Sequence, residues 1–247
     1  MWRAMLHGEM NTHVALITGA SRGLGLEVAR AYARRGLRLI LTARGAEALQ
    51  LAADELRSTT EVVALPADVG TPADAERLVD AGLTTFGRID VLVNNASELG
   101  PSPMPDLEHL PIDRFADVLR VNVVGALKLI QLVLPDMKSR SSGLIVNVTS
   151  DAGVEAYPTW GGYGASKAAL EHLSRVLVAE LEGTGVRVFV VDPGDMDTAM
   201  HRAAEPGIDL SHLQTPDLVA PAFVQLLDLD APSGRFEAQR MLATASV

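Results

Sequence analysis

The sequence predicts an α/β fold: a doubly wound parallel sheet of about seven strands with helices on both faces. Three observations carry the prediction. Strand-like runs alternate with helix-like runs along the whole chain, the strand-like runs are apolar throughout instead of on one face, and glycine-rich or polar motifs sit where those runs end. A strand that is apolar on both sides needs cover on both sides, and parallel neighbours need a crossover long enough to hold a helix. In open sheets of this kind ligands bind outside the carboxyl ends of the strands.

Residues 13–18, His-Val-Ala-Leu-Ile-Thr, form the first strand and run into Gly19-Ala20-Ser21-Arg22-Gly23-Leu24-Gly25, after which residues 26–35 have a helical pattern. A strand feeding a glycine-rich turn that opens a helix is an anion site. Gly19 permits the tight turn, Gly23 lets the backbone approach a pyrophosphate, and Gly25 lets helix and strand pack closely. The helix N-terminus adds free N–H groups and a partial positive charge, with Ser21 and Leu24 in the same cradle. The spacing, Gly-x-x-x-Gly-x-Gly, departs from the commoner Gly-x-Gly-x-x-Gly. A glycine-rich turn without a ligand is the alternative.

The second strand, Arg38–Thr42, ends in Ala43-Arg44. An NAD site places a carboxylate near this point for the ribose 2′-hydroxyl, whereas arginine accommodates a 2′-phosphate. Ala43 offers no carboxylate, Arg44 offers a cation, and Arg22 reaches the same region from the glycine turn. The pair points to NADP(H), with NAD(H) as the lesser choice; the alternative is two solvated arginines near helix starts. Residues 61–65 form a third strand ahead of Asp68-Val69. There Asp68 either hydrogen-bonds an adenine amino group, with Val69 alongside, or caps the turn before Thr71-Pro72.

A helix over Pro72–Phe86, a strand over 90–93, a helix over 111–140, a strand over 144–148, a helix over 164–182 and a strand over 186–191 continue the alternation. The least regular stretch is 193–216, and residues 195–213 are expected to be mobile and to cover a substrate. With no repeat and no low-complexity linker, residues 1–247 are read as a single dinucleotide-binding and catalytic domain.

Composition bounds the function. Apolar residues make up 48%, no run reaches the ~18 uninterrupted apolar residues of a membrane helix, and a formal charge of −10 argues against nucleic acid or anionic lipid as a partner. There is no cysteine, which excludes disulfides, zinc-thiolate sites and thiol catalysis. Residues 1–10 lack the unbroken apolar stretch of a secretory signal, so the cytoplasm is expected. His7 and His13 are expected at the surface, and the six histidines lack metal-ligand spacing.

Chemistry concentrates in Gly161-Gly162-Tyr163-Gly164-Ala165-Ser166-Lys167. On a helix, positions i and i+4 share a face, so an ammonium group sits beside a phenol. A unit charge roughly 6 Å away at an effective dielectric of about 20 favours the phenolate by about 3 kcal/mol, which lowers the phenol pKa by roughly two units. A surface helix carrying Tyr and Lys by chance is the alternative. Upstream, Leu92-Val93-Asn94-Asn95-Ala96 closes a strand with two amides that either tie the strand edge to its neighbours or make a turn. Asn122 sits mid-helix, where its propensity is poor. Ile145-Val146-Asn147-Val148-Thr149-Ser150 ends a buried strand on hydroxyls, from which Ser150 can hold a substrate oxygen beside the phenol.

Taken together, Thr18-Gly19-x-x-x-Gly23-x-Gly25, Asn94-Asn95-Ala96, Asn122, Ser150, Tyr163-x-x-x-Lys167 and Asp192-Pro193-Gly194 with Thr198 resemble the short-chain dehydrogenase/reductase family over nearly the whole chain. The resemblance implies a Rossmann-type fold and an NADP(H)-dependent oxidoreductase interconverting a carbonyl and a secondary alcohol. It implies Tyr163 as general acid/base, Ser150 binding the reacting oxygen, Lys167 lowering the Tyr pKa and holding the nicotinamide ribose, and Asn122 supporting a water in a proton relay. Asn94 and Ala96 would lie along the cofactor, Pro193 and Gly194 would border the nicotinamide, and Thr198 would contact its carboxamide or the phosphates. A homodimer or homotetramer built on the helices over 111–140 and 164–182 is implied, and a non-catalytic NADP(H)-binding regulator is the competing class. Three departures stand out. Ser97 replaces the usual Gly, Asp195 and Asp197 follow Pro193-Gly194, and the tail from Gly234 to Met241 lacks the glycine-rich ending common among 3-oxoacyl-carrier-protein reductases.

Overall fold

The computed structural model describes residues 12–245, so His7 lies outside the described residues. Seven strands form one parallel sheet in the order β3-β2-β1-β4-β5-β6-β7. They are β1 (Val14–Thr18), β2 (Arg38–Thr42), β3 (Val62–Ala64), β4 (Val91–Asn94), β5 (Gly143–Val148), β6 (Val186–Asp192) and β7 (Gly234–Glu237). The intervening helices are α1 (Gly23–Arg34), α2 (Ala46–Leu56), α3 (Pro72–Phe86), α4 (Ile112–Leu119), α5 (Ala126–Ser139), α6 (Gly161–Glu180), α7 (Ala199–Ala204), α8 (Pro216–Asp228) and α9 (Ala238–Ala245).

The apolar strands serve two cores. Ala15, Ile17, Leu39, Leu41, Val91 and Val93 join one with α1 and α8, while Val14, Leu16, Ile40, Leu92 and Ile145 join the other with α3 and α5. Each fully buried aliphatic side chain contributes roughly 1.5–3 kcal/mol, so both faces are held firmly. Close approach is secured locally. A Cβ at Gly82 in α3 would collide with Ile40, and the Tyr32 hydroxyl of α1 donates to the Phe223 carbonyl of α8 at 3.2 Å. The strand order reverses between β1 and β4, which opens a crevice at their carboxyl ends.

Four details differ from the sequence reading. His13 is buried at the edge of β1, where its carbonyl accepts the Arg38 N–H at 2.9 Å and draws the residue into the sheet. The irregular stretch contains helix α7, capped by Thr198, and a bridge between Met196 and Gln214. The seventh strand is β7, whose short run Gly-Arg-Phe-Glu alternates charged and apolar residues and so escapes a search for apolar strands. Residues 111–140 are one helical rod interrupted by a π-helical turn, Arg120–Gly125. Its part from Ile112 to Ser139 is long and apolar enough to cross a membrane by length and composition. In the fold it lies on the sheet, with Leu129, Ile130, Val133 and Met137 in the core.

Candidate active site

Thr18 ends β1, and its hydroxyl accepts the N–H groups of Asn95 and Ala96 at 3.0 and 2.9 Å, which joins the ends of β1 and β4. Gly19 and Gly23 then turn through positive φ, +66° and +57°, a region that only glycine enters without strain. A Cβ at Gly25 would collide with the Gly19 carbonyl oxygen, whereas one at Gly23 would meet nothing within 4 Å, so backbone is open to the crevice there. No side chain caps α1 at Arg22. Its first N–H groups and partial positive charge are therefore available to an anion.

That crevice is a cavity of about 470 Å³. Gly19, Ser21, Arg22, Gly23 and Leu24 line one wall; Arg44, Asp68, Val69 and Ala96 line the next. Tyr163, Lys167, Pro193 and Thr198 close the far end. A larger hollow of about 850 Å³ opens at the amino ends of β5 and β6, between Ser142, Glu182 and Arg187, and touches none of the motifs. Arg44, which lines the cavity, pairs with Glu98 at 3.0 Å. Asp68 holds the turn, its carboxylate accepting the Gly70 N–H at 2.9 Å and Arg120 at 3.0 Å, and it also lines the cavity.

Tyr163 and Lys167 occupy one face of α6 as the spacing predicts, with the ammonium nitrogen 5.3 Å from the ring centre. The expected drop in the phenol pKa does not follow. Burial pushes the phenol above its ordinary value, Asp192 and Asp151 push the same way, and the Ser97 hydroxyl, beyond a well-formed hydrogen bond, pulls against them. The ammonium group lies over the ring and donates to the Val148 carbonyl at 2.9 Å. Burial brings Lys167 itself down to about 8, opposed by Asp192.

The family model described as short chain dehydrogenase matches residues 13–209. The chain belongs to the short-chain dehydrogenase/reductase family. An uncharacterised oxidoreductase of Staphylococcus aureus (strain MW2) is 33% identical over 205 residues, spanning 83% of this chain and 87% of that protein. Among solved structures, an alcohol dehydrogenase from the archaeon Thermococcus sibiricus complexed with 5-hydroxy-NADP is 34% identical, with a TM-score of 0.81, covering 91% of this chain and 95% of that one. An NAD+-bound xylitol dehydrogenase is 26% identical, with a TM-score of 0.83, covering 93% and 98%.

Of the expected site residues, Asn94 and Asn122 are buried and do not line the cavity. Asn94 is buried and donates to Asn147 at 2.8 Å, locking β4 to β5. Strand alternation turns its neighbour Asn95 into the cavity, where its amide donates to the Thr18 and Gly19 carbonyls at 2.9 and 3.3 Å and holds the glycine turn. Asn122 sits in the π turn and clasps Glu98: its carbonyl oxygen accepts the Glu98 N–H at 2.7 Å, and its amide donates to the Glu98 carbonyl and to Ser166, both at 2.9 Å. The polar misfit in the helix thus fixes the loop after β4 to α6.

Ser150 donates to Asp151 at 3.0 Å and opens a short 3₁₀ turn by accepting the Ala152 N–H. Gly25 packs the glycine turn from behind, whereas Gly194 is exposed and needs its φ of +73°. Thr149, Met196 and Met200 line the cavity without having been singled out. Thr149 is one of the two hydroxyls on which β5 ends, whereas Met196 beside the Gln214 bridge and Met200 in the short helix α7 carry no signal of their own.

Proposed function

We propose that the chain transfers a hydride between NADP(H) and a carbonyl or secondary-alcohol substrate, with Tyr163 as general acid/base. The carrying observation is a single cavity lined at one end by the glycine turn with Arg22 and Arg44 and at the other by Tyr163 and Lys167. The residues suit a dinucleotide: the N-terminus of α1 has no side-chain cap, Gly23 leaves backbone open to the cavity, and the buried Ser97 hydroxyl on its wall lacks a protein partner. When bound, the dinucleotide gives or takes the hydride; orientation and the proton are the protein's part.

In the reducing direction Tyr163 passes its hydroxyl proton to the carbonyl oxygen. Burial holds the phenol above its ordinary pKa, so it keeps its proton at neutral pH but is a weaker acid than one tuned toward the working pH. Lys167 holds the nicotinamide ribose, Ser150 the reacting oxygen, and Asn122 supports a water of the proton relay. Pro193 and Gly194 border the nicotinamide, Thr198 its carboxamide or the phosphates, and Asn94 and Ala96 support the adenosine half. The setting is the cytoplasm. NADPH consumption across ketones, aldehydes, quinones and acyl thioesters tests the reading; a protein that binds NADPH and oxidises it with no member of the panel would overturn it.

Cofactor choice should rest on Arg22 and Arg44. Each charge-assisted contact to a phosphate is worth ~1.5–3 kcal/mol, so together they favour NADPH over NADH by at least about tenfold. Glu98 already engages Arg44, so Glu98→Gln should tighten NADPH further and leave NADH unchanged. The pair Ala43→Asp with Arg44→Ser should move the preference toward NADH. Titration of both dinucleotides checks all three; equal wild-type affinities would refute the assignment.

Residues 1–247 act as one catalytic domain in a homodimer or homotetramer, and residues 195–213 cover the site once ligands bind. Support for assembly comes from Val124, Leu127 and Val176, exposed along the π turn, α5 and α6. Light scattering at micromolar concentration should report a dimer or larger, and proteolysis within 195–213 should slow when NADPH and substrate are added. A monomer, or cleavage unaffected by ligands, would count against the respective half.

A further inference from the structure

The last strand reaches the site from outside the stretch that matches the family model, which ends at residue 209. Arg235 of β7 pairs in register with Val190, and Glu237 with Asp192, so Arg235 and Asp192 face the same side of the sheet. Its guanidinium divides between two buried carboxylates: Nη2 donates to Asp192 Oδ2 at 2.8 Å and Nε to Glu171 Oε1 at 3.2 Å. Both carboxylates are tied to the cavity. Glu171 lies one helical turn beyond Lys167, on the stripe of α6 that begins with Tyr163, and accepts the hydroxyl of Thr149, which lines the cavity, at 2.8 Å. Asp192 uses its other oxygen to accept the Gly194 N–H at 2.9 Å, fixing the turn that carries Pro193.

We propose that Arg235 is a positioning residue for this site. It acts through Asp192 and Glu171 to fix the Pro193-Gly194 turn against the face of α6 that carries Tyr163 and Lys167. The inference rests on the dinucleotide reading above, because the turn and that face are where the nicotinamide end would lie. A buried carboxylate without a counter-ion is expensive, and here two share one cation. Without Arg235 the carboxylates repel each other, and the turn loses its tie to α6. A bidentate guanidinium spans two acceptors in a way that a point-charge ammonium reproduces only in part.

The consequence depends on pH. Asp192 is held above the usual carboxylate range by burial, and the Gly194 N–H and Arg235 oppose that rise. The charged and titratable groups around it are Lys167, Glu171 and Tyr163 from α6, Asp151 from the exit of β5, and Arg235 and Glu237 from β7, with Arg240 of α9 paired to Glu237. Removing Arg235 raises Asp192 further, so its proton returns at a higher pH. A protonated Asp192 no longer supports the Lys167 ammonium and accepts the Gly194 N–H more weakly.

The test compares Arg235→Met and Arg235→Lys with wild type in two measurements: carboxyl-carbon NMR titration of Asp192 without dinucleotide, and NADPH binding at acidic and neutral pH. Arg235→Met should move the Asp192 titration upward and weaken NADPH at least about tenfold at acidic pH, the worth of one charge-assisted contact, with a smaller loss at neutral pH. Arg235→Lys should recover part of both. Adding Asp192→Asn to Arg235→Met should erase the difference between acidic and neutral pH that Arg235→Met introduces, because no carboxylate is left there to titrate. A merely structural strand residue would weaken binding equally at every pH and gain nothing from lysine, and that result overturns the proposal, as does an Asp192 titration that does not move. Wild-type protein that binds neither dinucleotide would instead remove the functional reading; the NMR titration, which needs no cofactor, separates the two failures. If Arg235→Met does not fold, Arg235→Lys carries the same comparison on a smaller scale.

Discussion

Tyr163→Phe should lower carbonyl reduction by ~10²–10⁴, the usual worth of a positioned general acid, while NADPH affinity stays within a few-fold of wild type. The substitution deletes one oxygen and leaves the ring in place. That ring meets Trp160 edge-on at 5.8 Å and has the Lys167 ammonium over its face, contacts that phenylalanine keeps. Cofactor contacts proposed for the glycine turn, Arg22 and Arg44 lie at the other end of the cavity and are untouched. The split between turnover and affinity is therefore the informative readout. Residual turnover above about a tenth of wild type would mean that another group delivers the proton.

The fold was legible because strands buried on both faces must be apolar at every position, a pattern strong enough to survive one-residue errors at their ends. β7 lacks that pattern: its Arg235 and Glu237 stay partly exposed, and what holds Arg235 in place is its pairing with the buried carboxylates of Asp192 and Glu171, which are remote in sequence. The site was legible where spacing dictates geometry, as in the glycine turn and the i, i+4 pair Tyr163 and Lys167. It was not legible where the outcome depends on what surrounds a group. The phenol shift is set by burial and by carboxylates on two other segments, and spacing within α6 reports neither. Likewise the doublet Asn94-Asn95 announces two amides, but strand phase alone decides that Asn94 braces β5 while Asn95 holds the glycine turn.

Lys167→Ala should damage turnover and NADPH binding together, because in the proposed reading one buried ammonium serves both the phenol and the ribose. The pH dependence gives the sharper check. Burial holds Lys167 at about 8, so its charge disappears as pH rises through that value, and wild-type NADPH affinity should fall on the same limb. The alanine variant should be weak throughout and show no such limb. Stability follows with the opposite sign. The unfolded chain keeps the lysine proton up to its ordinary 10.5, so between about 8 and 10.5 the unfolded state binds more protons than the folded one. Over that window wild-type stability should rise with pH relative to Lys167→Ala, since below it the fold carries the cost of a buried ammonium whose hydrogen bond to protein runs to the Val148 carbonyl. Melting temperatures of both proteins across the window, together with NADPH titrations, measure the two effects. Parallel melting curves with a shared basic limb would show that the group titrating near 8 is not Lys167.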